Sequence, residues 1–171
     1  MTNTTEVAVT TQVYRVYIKA TPQAVWDAIT QPEWTAKYGY GGRGEYELRP
    51  GGAYRGYSTA AMRTQGAPEV AVDGEILESD PPRRLVMTWR MLMDEAVAAD
   101  GFTRLTYEIE EALHGTTKLT VIHDLKGAPT LAVLMAGGME GAGGGWSWIL
   151  SGLKTLLETG SPMATHTGEL G

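Results

Sequence analysis

Cysteine is absent from the 171 residues, which removes disulfides, thiolate nucleophiles and Cys-ligated zinc from consideration together. Basic residues are scarce: 14 Lys and Arg stand against 20 Asp and Glu, and no basic run exceeds the pair Arg83-Arg84. A net charge of −6 without a basic stripe offers no footprint for a phosphate backbone, so no nucleic-acid partner is expected. Long apolar runs are missing too. The longest, residues 131–139, has half the length of a membrane span, and residues 1–13 carry neither a basic start nor an apolar signal core. The expectation is a cytoplasmic protein with no membrane partner, working as a monomer or homodimer. Phenylalanine occurs once, against eight tyrosines and five tryptophans. The rings available for packing therefore carry polar tips, as the linings of cavities often do.

What is present reads as one core, since 43% hydrophobic residues over this length suffice to close a single domain. Residues 12–20 alternate, with Tyr14, Val16 and Ile18 on one side and Arg15, Tyr17 and Lys19 on the other, the period of a half-buried strand. Thr21-Pro22 then supplies an N-cap and a first-turn proline for a short helix carrying Val25, Trp26 and Ile29 on one face. Pro32 ends it, and residues 33–38 form a second brief helical turn. Strand-forming runs follow at residues 46–49, 53–62, 70–78, 84–91, 103–111 and 116–124, divided by Gly, Pro and Asp turn signals short enough to imply antiparallel hairpins.

Trp146, Ile149, Leu150, Leu153, Leu156 and Leu157 fall at helical spacing, predicting a long amphipathic helix over residues 146–159 that Gly160 stops. The fold class is thus α+β: seven antiparallel strands curved around a long C-terminal helix, with two short helices after the first strand. Residues 12–159 make the domain, residues 1–11 a flexible leader and residues 160–171 a disordered tail.

Particular residues carry a resemblance over nearly the whole chain. They are Ile18-Lys19-Ala20-Thr21-Pro22 running on to Ile29, Pro32-Glu33-Trp34, Leu48-Arg49-Pro50-Gly51-Gly52-Ala53-Tyr54 and Gly74-Glu75-Ile76. Pro81-Pro82-Arg83-Arg84-Leu85-Val86-Met87-Thr88-Trp89, Gly115-Thr116-Thr117-Lys118-Leu119-Thr120 and Gly145-Trp146 follow in order. With these the chain resembles the START and birch-pollen-allergen (SRPBCC) superfamily, and within it the group named after the activator of the heat-shock-protein ATPase. The resemblance implies a helix-grip fold with an internal apolar cavity. Across members that cavity serves lipid or polyketide binding, a few cyclisations and, in some antibiotic producers, self-resistance. Two segments depart from the pattern. Tyr38-Gly39-Tyr40-Gly41-Gly42 replaces adjacent tryptophans and is expected to loosen the mouth, and the insert at residues 131–144 is longer and richer in glycine than usual, with residues 136–145 expected to act as a hinged gate.

Residues 39–44 also spell G-x-G-x-x-G, but a helix precedes them and a strand follows, the reverse of what pyrophosphate binding needs. No cofactor is expected. Nor is a metal: His114, His123 and His166 lie in a turn, a strand and the tail, with no ligand spacing between them. His123 shares a strand face with Leu119 and Val121. It is either a core histidine bonded to a neighbour or, with Tyr107, a candidate catalytic group that hydrogen-bonds a ligand or moves a proton.

Leu105, Tyr107, Met87 and Trp89 form inward faces that serve equally as core or as cavity wall. The candidate ligand-binding set is Trp34, Tyr38, Met87, Trp89, Leu105, Tyr107, Val121, His123, Met135, Met139 and Trp146. No carboxylate pair and no Ser-His-Asp order is visible. The sequence therefore points to binding of an apolar, aromatic or polyketide-like small molecule, extending to sequestration or self-resistance. The alternatives are a polyketide cyclase using the same cavity, or a chaperone-activator-like module that binds protein.

Overall fold

The computed structural model describes residues 11–136 and 144–164. Strand β1 (Thr11–Ile18) is followed by helices α1 (Pro22–Thr30) and α2 (Pro32–Thr35). Strands β2 (Gly44–Tyr46) and β3 (Ala53–Tyr57), helix α3 (Ala60–Thr64), strands β4 (Val70–Asp80) and β5 (Arg84–Met91), and helix α4 (Glu95–Ala98) come next. Strands β6 (Thr103–Glu111) and β7 (Thr117–Asp124) and helices α5 (Pro129–Met135) and α6 (Gly145–Thr159) complete the order. The seven strands form one antiparallel sheet, β1-β7-β6-β5-β4-β3-β2, a meander whose last strand pairs back onto the first. With α6 held against it, this is a helix-grip fold.

Local chemistry explains the ends of the elements. Thr21 accepts a hydrogen bond from Ala24 N–H at 3.1 Å and Pro22 opens α1, while Pro32 forces the break before α2. Gly160 ends α6 in the left-handed region at φ +79°, its N–H returning to Leu156 O at 2.8 Å. Gly74 is required where β4 crosses β5: a Cβ there would lie 1.8 Å from Thr88 O. The sheet can bend tightly at that point only because no side chain intervenes.

The alternating faces meet in one core. Ile18, Leu85, Met87, Leu105, Leu119 and Val121 are fully buried on the concave face, and Leu150 and Leu153 of α6 cover them with Val25 and Ala28 of α1. Each leucine buried there stabilises the fold by about 2 kcal/mol. Across the outer face, opposite charges pair between strands: Arg84 with Glu78 and Glu108, Lys118 with Glu110, and Arg90 with Asp73.

Several boundaries differ from the sequence reading. The third strand stops at Tyr57 and not at residue 62, because Thr59 caps a new helix by accepting Met62 N–H at 3.2 Å. The strand expected at residues 46–49 is shifted to Gly44–Tyr46, and the second helical turn is shortened to Pro32–Thr35. The first residues of the insert belong to a helix the sequence reading did not place, α5, opened by Pro129 in its first turn. Thr11 already belongs to β1, one residue before the expected domain edge. Of the expected tail, Met163 and Ala164 lie near Lys37 and Trp148. The remaining leader, most of the gate (residues 137–143), Met139 and His166 lie outside the described residues. No helix among those described is long and apolar enough to cross a membrane.

Candidate functional site

Where the first turns of α6 pass over β3, β4 and β5, the concave face is not filled. A cavity of about 460 Å³ remains, inside the range of roughly 300–1,000 Å³ typical of small-molecule pockets. Trp89, Tyr107 and Trp146 present flat aromatic surface to it, and Met62, Met91, Met93 and Met135 present thioethers from three separate segments. Such a lining combines rigid stacking surface with side chains that adapt to shape. Among the described residues the only charged side chain in the lining is Asp94. Its Oδ1 already accepts the N–H groups of Ala96 at 2.8 Å and Val97 at 3.3 Å, capping α4.

Strands β2 and β3 contribute a tyrosine pair. Tyr46 and Tyr54 stand directly opposite one another, their ring centroids 4.6 Å apart. The neighbouring cross-strand pair is Gly44 and Gly56. A Cβ on Gly56 would come within 3.0 Å of the Tyr54 hydroxyl, so the missing side chains make room for the rings. Burial pushes the Tyr54 phenol up to about 12 and raises Tyr38, Tyr46 and Tyr107 further. All four phenols are therefore neutral donors at physiological pH.

The loop after α2, expected to loosen the mouth, is instead fastened to α6. Trp148 Nε1–H donates to Gly39 O at 2.9 Å and Gly145 N–H donates to the Tyr40 hydroxyl at 3.0 Å. Tyr38 donates to Ala28 O at 2.8 Å, tying the same loop to α1. In the loop's G-x-G-x-x-G, strand β2 begins at the last glycine, so no helix N-terminus faces a phosphate there.

His123 lies beside the cavity, not in its lining. Trp146 Nε1–H donates to His123 Nδ1 at 3.1 Å, which leaves the proton of the neutral ring on Nε2. Nε2 lies 2.7 Å from Thr103 Oγ1, and that hydroxyl donates on to Trp89 O at 2.9 Å. The imidazole is fully buried, crossed edge-on by Trp89 and Trp146. Burial lowers its pKa to about 4, with the Asp124 carboxylate opposing weakly. Both ring nitrogens are in use. The histidine thereby fixes the tryptophan whose other side forms cavity wall.

Of the residues singled out from sequence, Tyr38, Trp89, Tyr107, Met135 and Trp146 line the cavity. Met87, Leu105 and Val121 do not: they share faces with Trp89 and Tyr107 but lie in the solid part of the core, each with no exposed surface. Trp34 is also outside the lining, half-buried on α2 with the Lys37 ammonium 5.0 Å from its ring. Tyr46, Tyr54, Val72 and Ile149 line the cavity without having been singled out. Tyr46 and Tyr54, each two residues from a glycine that pairs with the other's glycine, carried a signal that alternation alone does not weigh.

With this geometry in hand, likenesses to known proteins can be placed. CalU16 from Micromonospora echinospora, in solution, is 21% identical with a TM-score of 0.62, over 94% of this chain and 71% of that one. DynU16, a protein in the dynemicin biosynthetic locus, is 22% identical with a TM-score of 0.63, over 90% of this chain and 49% of that one. PFC0360w, an HSP90 activator from Plasmodium falciparum, is 17% identical with a TM-score of 0.62, over 86% of this chain and 96% of that one. The chain spans 59% of the crystallised CalU16 and about half of DynU16, and at these identities the likeness is one of fold. No curated protein matches it. Residues 19–158 match the family described as Activator of Hsp90 ATPase homolog 1-like protein, and the chain belongs to that family, within the SRPBCC superfamily.

Proposed function

We propose that the protein holds an apolar, planar small molecule in the cavity between α6 and β3 to β5, as a binding protein that performs no chemistry on it. The observation that carries this reading is the lining: about 460 Å³ bounded by aromatic and thioether side chains, with the single carboxylate among the described lining residues spent on a helix cap. An apolar ligand gains burial there without stranding a charge. The likeness in fold to DynU16, a protein in the dynemicin biosynthetic locus, supports a natural product as the molecule held, and hence sequestration or self-resistance as its purpose.

Catalysis would need a base, and His123 is ill placed for one, with both nitrogens engaged and a pKa near 4. Tyr107 is held protonated by burial. A protein-binding role like that of an HSP90 activator would call for a patch of one sign on the outer sheet face, where this chain pairs opposite charges.

Trp89 and Trp146 report directly on occupancy. Titrating the protein with Nile red is expected to quench tryptophan emission saturably at micromolar concentration, on the order of −8 kcal/mol, and Trp89→Phe is expected to remove much of the quench. A linear response, unchanged in Trp89→Phe, refutes the binding reading. Turnover of an aromatic polyketide, lost in Tyr107→Phe while binding persists, would replace it with the cyclase reading.

A further inference from the structure

Most polar groups at the cavity are already committed. Tyr38 donates to Ala28 O, Tyr57 donates to Glu45, and Thr35 both donates to Pro32 O and accepts from Gly44 N–H. Three hydroxyls are not: among the described residues those of Tyr46, Tyr54 and Tyr107 find hydrogen-bond partners only in one another and in the Trp89 indole, although Tyr54 and Tyr107 are only 9% and 8% exposed. The indole N–H of Trp89 is uncommitted in the same way. These four groups are neighbours in a row. Tyr107 lies beside Tyr46, Tyr46 beside Tyr54, and Tyr54 beside the Trp89 indole, each within polar reach of the next.

A count of hydrogens decides what such a row lacks. The indole can only donate, and each phenol brings one hydrogen and one acceptor oxygen. Linked end to end, four hydrogens serve three junctions, so one hydrogen is left with no acceptor in the row. The row lines the cavity, and an acceptor on whatever fills the cavity completes it. A ligand hydroxyl would accept that hydrogen but add another, leaving the same excess. A carbonyl oxygen accepts and adds none. Among the described residues no Lys or Arg lines the cavity to offset an anion, so the acceptor is neutral.

Resting on the binding reading above, we infer that the ligand is a neutral, planar aromatic ketone whose carbonyl oxygen accepts the spare hydrogen of the row formed by Trp89, Tyr54, Tyr46 and Tyr107, while its rings lie among Trp89, Trp146 and the methionines. The row selects for the ketone group, and the apolar lining accepts the rest without discrimination.

The test uses 9-fluorenone and fluorene, which share one skeleton and differ in the carbonyl. Bound to the wild-type protein, fluorenone is expected to show its C=O stretch at lower frequency than in an apolar solvent, the mark of a hydrogen bond. In the quadruple variant Tyr46→Phe, Tyr54→Phe, Tyr107→Phe, Trp89→Phe, which removes every donor of the row, the stretch should return to the apolar position. The ratio of fluorenone affinity to fluorene affinity should fall about fivefold to tenfold, the ordinary worth of a hydrogen bond. A stretch already at the apolar position in the wild type, or equal loss of affinity for both probes, overturns the ketone assignment and leaves the cavity reading standing. Failure of both probes to bind the wild type overturns the two together.

Discussion

The two ends of α6 face the same sheet with opposite results. Toward its C-terminus Leu153 packs beside Ile18 and Leu119 where α6 meets β1, and Leu153 and Leu156 are both buried. Toward its N-terminus Trp146 and Ile149 look across a void at Tyr54, Val72 and Trp89. Branched aliphatic side chains close one half. In the other, Gly44 and Gly56 sit where side chains would stand, and the rings that flank them end in hydroxyls. Close packing is the default of protein interiors. A half that avoids it gives up burial, and with it stability, in exchange for room. The closed half should therefore set the stability of the fold and the open half its affinity for ligand.

The harshest way to break that comparison is Leu153→Ala. Leu153 is 1% exposed in the closed half, and its truncation is expected to cost about 4 kcal/mol, in the middle of the range for buried leucines. Urea unfolding reads the loss, and Nile red affinity at low urea should stay within twofold. A loss below about 1 kcal/mol would mean that the closed half is not close-packed. A large loss of affinity would mean that the two halves are not separable.

His123 stands at the boundary of the halves and yields the next effect. Its folded pKa of about 4 lies below the ordinary 6.5, because burial penalises the charged ring. Above pH 6.5 neither the folded nor the unfolded chain binds the proton, and stability is at its full value. As pH falls from 6.5 toward 4 only the unfolded state takes the proton up, so stability drops, by roughly 3 kcal/mol at the lower end. Protonation also places a hydrogen on Nδ1 against the Trp146 N–H, so the wall of the open half loosens first. His123→Gln, which does not titrate, should flatten this part of the stability profile relative to the wild type. Carboxylates such as Glu158 titrate alike in both proteins and cancel from the difference. Parallel profiles would remove the histidine from the boundary.

The same division governs how far sequence reading reached. The closed half was legible because its signals are local. Leucines at helical spacing, a Thr-Pro helix start and alternating strands each follow from a few neighbouring residues. The open half was legible only in part, because a void depends on how far a helix stands off a sheet, which no local period encodes. Met87 and Trp89 occupy one face of one strand, yet Met87 is solid core and Trp89 is wall. The two short helices at the rim were hidden for a different reason. Thr59 and Pro129 are helix-start residues, but each follows a run whose own pattern, strand-like at residues 53–57 and loop-like at residues 125–128, masks the change.

Asp94 gives the smallest expected effect and the finest test of what the open half is for. It is the one charge among the described residues of the lining, so a cationic ligand would depend on it, and a neutral ligand would not. Its carboxylate caps α4 by accepting two backbone N–H groups, a task that asparagine performs as well. Asp94→Asn therefore keeps the cap and removes only the charge. Stability should change by less than about 0.5 kcal/mol, whereas Asp94→Ala, which loses the cap, should cost about 1 kcal/mol. Fluorenone and Nile red, both neutral, should bind Asp94→Asn within twofold of the wild type at low and high salt alike, because a carboxylate already spent on backbone donors has little left to offer a ligand. Strong binding of a planar cation by the wild type, lost in Asp94→Asn and weakened by salt, would show that the carboxylate and not the tyrosine row chooses the ligand.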